Sequence, residues 1–129
     1  MPVFLHPEIS STLYAGTHSV LKSINGGGSW DTLAPNITVQ KISSLAQSRV
    51  NPNNMILGTG KDHPTDSLFL VIISTDEGHS WTDVTGRLPG ESRWISRVVT
   101  DPVDENTMYA GEHRVKWDMS EKLYLLLTI

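Results

Sequence analysis

At 129 residues the chain is long enough for one ordinary domain, and it is too short for a closed ring of blades that each take ~40 to 50 residues. A formal net charge of −4 gives no basic patch to follow phosphates, which argues against a nucleic-acid partner. No apolar run reaches 18 residues, so no membrane span is expected, and the absence of cysteine excludes disulfides and thiolate metal sites.

Residues 1–10 carry Pro2, His6 and Pro7 among a few apolar positions and read as the tail of an element begun upstream, with no signal-peptide pattern. A short strand, Thr12-Leu13-Tyr14-Ala15-Gly16-Thr17, follows. It recurs as Met55-Ile56-Leu57-Gly58-Thr59 and as Thr107-Met108-Tyr109-Ala110-Gly111, the glycines lying 42 and 53 residues apart. The unequal spacing implies an insertion, best placed in the polar stretch 61–67 around Pro64. Ahead of two of these strands stand a β-rich run and a proline turn, Ile42 into Asn51-Pro52 and Ile95 into Asp101-Pro102.

An octapeptide also repeats. Ser23-Ile24-Asn25-Gly26-Gly27-Gly28-Ser29-Trp30 and Ser74-Thr75-Asp76-Glu77-Gly78-His79-Ser80-Trp81 share Ser, Asx, Gly, Ser and Trp at fixed places, 51 residues apart. Each follows an apolar run and precedes a second short one, so it reads as a hairpin turn. Asn25 or Asp76 supplies an oxygen for backbone N–H groups, and Gly27 or Gly78 supplies positive φ. Trp30 and Trp81 re-enter the sheet with apolar bodies that need a neighbour. The period indicates stacked copies of one supersecondary unit. One whole unit runs through strands at 41–50, 55–60, 68–74 and 81–85. The expected organisation is residues 1–35 as the later strands of a first blade, 41–88 as a complete blade, and 94–129 as a partial third blade with an atypical tail.

These octapeptides resemble Asp-boxes, the bacterial-neuraminidase repeats of sialidase-like and sortilin-like β-propellers. The order Trp81, Thr85-Gly86, Leu88-Pro89, Trp94 and Asp101-Pro102 is similar to large exported bacterial Asp-box proteins. The resemblance covers roughly residues 11–112. Asn25 departs from the usual Asp, which weakens turn bonds without changing their geometry, and Lys116-Trp117-Asp118-Met119-Ser120 lacks the order of a third box. The resemblance implies an all-β fragment of about two four-stranded antiparallel blades. It also implies boxes joining the third and fourth strands away from the ligand pocket, and an exported parent. Its partners would be the remaining blades, further copies of itself, a carbohydrate or a protein.

Candidate chemistry is sparse. One carboxylate, Asp76, falls short of the six to eight oxygens calcium takes, so the boxes read as structural turns. The triple glycine 26–28 has no following helix to hold phosphate. His6, His18, His63, His79 and His113 have no metal-pair spacing. Asp62, His63 and Asp66 lie in the inserted loop, and Asp101, Asp104 and Glu105 fall in a turn rather than facing each other as hydrolytic carboxylates. Arg49, Arg87, Arg93, Arg97 and Arg114 match no sialidase arginine motif, and Asn36-Ile37-Thr38 fits a glycosylation sequon. Arg93, Trp94 and Arg97, on a strand expected near the propeller axis, are the candidate ligand contacts. No cofactor or metal is implied. The expected function is a non-catalytic scaffold or a carbohydrate- or protein-binding surface. The alternative is a fragment of a sialidase- or glucanase-type glycoside hydrolase without its catalytic residues.

Overall fold

The computed structural model describes residues 2–35, 37–38, 41–59, 70–85, 93–114 and 121–128. They form eleven strands and, among the described residues, no α-helix. The first sheet joins β1 (Val3–Leu5), β2 (Leu13–Gly16), β3 (Val20–Ser23) and β4 (Asp31–Ala34) in chain order. The second joins β5 (Ile42–Gln47), β6 (Met55–Thr59), β7 (Val71–Ser74) and β8 (Thr82–Asp83), again in chain order. The third holds β9 (Arg93–Thr100), β10 (Thr107–Arg114) and β11 (Glu121–Thr128). Every pairing is antiparallel. The chain is thus all-β, two four-stranded blades and three strands of another. Two expectations gain detail. Val3–Leu5, read as the tail of an upstream element, is the edge strand of the first sheet, and the apolar C-terminal stretch pairs with β10 along its length.

Neighbouring sheets touch through their first two strands, β2 against β5 and both β5 and β6 against β9, so the blades fan out from the first-strand side. Strand alternation divides the middle blade between two cores, since successive side chains leave opposite faces. Met55, Leu57 and Ile72 face the first blade and pack with Tyr14, Val20, Ala34, Ile42 and Leu45. Ile56, Val71 and Ile73 face the third and pack with Val84, Val98, Met108 and Ala110. All of β6 and β7 is therefore buried, which is why these strands read as continuous apolar runs rather than as alternating ones. Each Val, Leu, Ile or Met among them withdrawn fully from water contributes about 1.5–3 kcal/mol.

The register makes the repeat literal. Val3, Ala15 and Leu21 are cross-strand neighbours in the first sheet, as Leu45, Leu57 and Ile72 are in the second. On the opposite faces, Phe4, Tyr14 and Lys22 correspond to Ala46, Ile56 and Ile73.

Several features singled out in the sequence lie outside the described residues: the inserted loop 61–67 with Asp62, His63 and Asp66, Asn36 of the sequon, Arg87, and the segment 115–120 where a third octapeptide would fall.

Candidate functional site

The octapeptide turns close β3–β4 and β7–β8 with one wiring. Ser23 Oγ accepts the Gly27 N–H at 2.9 Å, and Ser74 Oγ accepts the Gly78 N–H at 2.8 Å. The same hydroxyls donate to Asn25 Oδ1 at 3.0 Å and Asp76 Oδ1 at 2.7 Å. Those oxygens in turn accept the N–H of Ser29 at 2.9 Å and of Ser80 at 2.8 Å. Outside the turns, Gly26 N–H reaches Ser11 O and Glu77 N–H reaches Asn53 O, each at 2.8 Å, tying the turn to the loop between the first two strands of its own blade.

The copies differ in the direction of one bond. Asn25 Nδ2 donates to Ser29 Oγ at 2.8 Å, whereas Ser80 Oγ donates to Asp76 Oδ2. A hydroxyl serves either role by rotating, so Asn25 preserves the geometry. The charged copy gains strength, because bonds to an ionised acceptor are the stronger kind.

The Ser80 and Ser74 hydroxyls and the Ser80 N–H hold Asp76 down at about 2, against an ordinary 3.8. A carboxylate lowered on folding contributes stability that is whole above its unfolded value and is lost as pH falls through the folded one. The window is therefore about pH 4 down to about 2. We expect thermal melts between pH 6 and 2 to show a smaller acid loss in Asp76→Asn than in the parent, with the two curves converging at the acid end. Glu77 and Asp101 are also lowered and contribute with the same sign, so the difference between the curves isolates Asp76. Parallel curves would contradict the assignment.

The tryptophans fare differently. Trp81 packs against the core shared by the first two blades, while Trp30 remains 40% exposed. Gly78, at φ 89°, sits so close to Leu33 of the preceding blade that a Cβ there would lie 2.6 Å from Leu33 Cδ2.

A second repeated device was not read from the sequence. In each blade the turn after the first strand is capped by a side-chain lone pair that accepts two successive backbone N–H groups. His6 Nδ1 takes those of Glu8 and Ile9 at 3.0 and 3.1 Å. Ser48 Oγ takes those of Val50 and Asn51 at 3.2 and 3.1 Å, and Asp101 Oδ1 takes those of Val103 and Asp104, both at 2.9 Å. The three residues also donate their own N–H to equivalent carbonyls, of Thr12, Asn54 and Thr107. The backbone bonds from Asp104 and Val103 keep Asp101 below the usual carboxylate range. His6, Ser48 and Asp101 stand 42 and 53 residues apart, the spacing of the strand glycines, which is the signal that would have found them.

Because His6 Nδ1 accepts, its proton sits on Nε2, which donates to Glu77 Oε1 at 3.0 Å. Glu77 thereby joins two blades. Its other oxygen lies 3.7 Å from Lys22 Nζ, and Gln47 Nε2 reaches Oε1 at 3.4 Å while also donating to Pro52 O at 2.7 Å. Partial burial pushes Glu77 up, but the His6 bond and the Lys22 charge outweigh it and leave the group lowered. Beneath them, burial and then the Glu77 charge raise the Tyr14 phenol, over whose ring Lys22 Nζ sits 5.6 Å from the centroid. Glu77 holds φ 59°, a left-handed conformation that Gly26 supplies in the first copy. For a non-glycine residue this costs roughly 1–2 kcal/mol, which the interblade bonds offset.

No protein-family model matches the chain, and no curated protein sequence matches it. Solved structures do. An ancestral GH74 enzyme is similar over 85% of this chain at 25% identity, with a TM-score of 0.66. The GH74 xyloglucanase of Xanthomonas campestris is similar over 97% at 14% identity, TM-score 0.68, and the GH74 enzyme of Niastella koreensis over 84% at 19%, TM-score 0.60. The chain spans 16%, 20% and 20% of the lengths of those three. Its fold is that of part of a β-propeller, as in these glycoside hydrolases.

Within that fold, the candidate ligand contacts share β9. This first strand of the third blade is tied to the second where Val98 N–H donates to Ser44 Oγ at 3.0 Å. Arg97 pairs in register with Gly111 and is exposed. Arg93 and Trp94 pair with Arg114 and His113, and their side chains lie outside the described residues. Asp101, Asp104 and Glu105 lie in the turn the sequence indicated. Asp104 Oδ2 accepts the Thr107 hydroxyl, and Glu105 O accepts Asn54 Nδ2 from the second blade.

Proposed function

We propose that this chain is a blade-forming segment of an Asp-box propeller of the glycoside-hydrolase kind. In this reading the two octapeptides are Asp-boxes, and the segment serves as scaffold for a surface that meets a xyloglucan-type polysaccharide. The observation that carries the reading is the matched wiring of the two turns, with the second one seated on the preceding blade, in a fold similar to GH74 enzymes over most of this chain. The carboxylates with resolved shifts support a scaffold. A hydrolytic general acid needs a raised pKa, whereas Asp76, Glu77 and Asp101 are all lowered by turn or interblade bonds. Arg97, exposed on a first strand, is the glycan contact we assign, with Arg93 and Trp94 beside it in sequence.

The test is affinity electrophoresis of the purified chain in gels with and without xyloglucan, with reducing ends assayed in parallel. We expect retardation by xyloglucan, weakened in Arg97→Ala, and no release of reducing ends. Unchanged mobility would remove the glycan surface from the proposal, and hydrolysis by the chain itself would overturn the scaffold role.

A further inference from the structure

Six asparagines stand in the chain, and of these Asn25 is the one followed by glycine. That pair carries a reactivity of its own. The backbone nitrogen one residue beyond an asparagine is placed to attack the side-chain amide, and glycine, having no Cβ, leaves the approach unhindered. Asn25 and Gly26 are both exposed, and nothing lies within 4 Å of where a Cβ on Gly26 would stand.

In this reaction the Gly26 nitrogen gives up its proton and bonds to Asn25 Cγ, the Cγ–Nδ2 bond breaks, and Nδ2 takes up the proton and leaves as ammonia. The cyclic imide then adds water. Opening at Cγ gives aspartate in the ordinary chain, whereas opening at the Asn25 backbone carbonyl gives isoaspartate, with the main chain rerouted through Cγ. Amide and water become carboxylate and ammonium, with no oxidant or cofactor, and the chain gains a negative charge.

The folded turn holds both reactants back. Gly26 N–H is committed to Ser11 O at 2.8 Å. The Asn25 amide lies over Gly28, where an added Cβ would meet Oδ1 at 3.4 Å and Cγ at 3.5 Å. It is fixed there by the Ser23 hydroxyl and the Ser29 N–H on Oδ1, and by Ser29 Oγ on Nδ2. Attack therefore waits for the turn to open locally.

The second octapeptide shows what such a turn does with an aspartate. Asp76 accepts from the Ser74 and Ser80 hydroxyls and from the Ser80 N–H, and Ser29 needs only to rotate its hydroxyl to donate as Ser80 does. Isoaspartate has no such refit, because a methylene added to the main chain displaces its carboxylate. We propose that Asn25 is a site of spontaneous deamidation, timed by opening of the first turn, and that its aspartate product closes into an anionic turn wired like the second.

The test incubates the folded chain, and the same chain in guanidinium chloride, at mildly alkaline pH. Peptide mapping by mass spectrometry follows amide-to-acid conversion at each asparagine, with isoaspartate measured by enzymatic methylation. In denaturant Asn25 should convert ahead of the other asparagines, and in the folded chain it should convert at least about tenfold more slowly, since three hydrogen bonds restrain its amide. Ser29→Ala, an exposed change that releases Nδ2, should speed the reaction in the folded chain and leave the denatured rate unchanged, with circular dichroism reporting the fold. Asn25→Asp, the product made directly, should melt no lower than the parent at pH 7. Equal rates in the folded and denatured parent, or in the folded parent and folded Ser29→Ala, would overturn the timing. Earlier conversion of another asparagine in denaturant would overturn the site, and a lower melt for Asn25→Asp would overturn the refit.

Discussion

Leu57→Ala is expected to lower the stability of the chain by about 2–5 kcal/mol, the range for truncating a fully buried leucine. Leu57 has no exposed surface and lies in the core that the first two blades share, with Ile42, Leu45 and Ile72 from its own blade and Tyr14, Val20 and Ala34 from the other. The cavity would open at a seam between sheets, where neither sheet relaxes without moving the other. Chemical denaturation monitored by tryptophan fluorescence reads the loss directly, because Trp81 packs against the same cluster. A change below about 1 kcal/mol, far under the truncation range, would mean that the two blades do not share this core.

Ser74→Ala is expected to cost about 1–3 kcal/mol, the penalty for leaving a buried donor unpaired. Its hydroxyl accepts the N–H groups of Gly78 and Asp76 and donates to the Asp76 carboxylate, so one methyl in its place disconnects three bonds. Ser23 is wired alike, yet Ser23→Ala should cost less. Gly78 is pressed against Leu33, and its carbonyl holds Trp81 Nε1 at 3.0 Å, so the second turn transmits its loosening to the interblade core. Ser74→Thr, which keeps the hydroxyl, should recover most of the loss. Equal costs for the two alanine variants in paired denaturation curves would deny that coupling.

Much of the fold was legible because glycine and tryptophan spacing records backbone events that few other residues perform. Gly27 and Gly78 occupy positive φ at 94° and 89°. The five-residue run Met55–Thr59 reads as apolar because both its faces are covered. Val3–Leu5 was not legible as a strand: three residues between prolines carry too little pattern, and it is their register with Leu13–Ala15 that defines them. The turn caps escaped for a chemical reason. Histidine, serine and aspartate look unrelated as letters, but each offers a lone pair at the same place, and only hydrogen bonds reveal that equivalence. Glu77 escaped because a left-handed position beside a turn glycine selects for glycine, as at Gly26, and its partner His6 lies 71 residues away in the chain.

The serine rotor of the octapeptide has a consequence for how such rims diverge. Since Ser29 accepts from an amide and Ser80 donates to a carboxylate within one backbone shape, the charge of a blade's edge is uncoupled from its contour. A lineage of blades is free to exchange neutral for anionic residues at this site one blade at a time, retuning the potential around the disc while every hairpin keeps its seat.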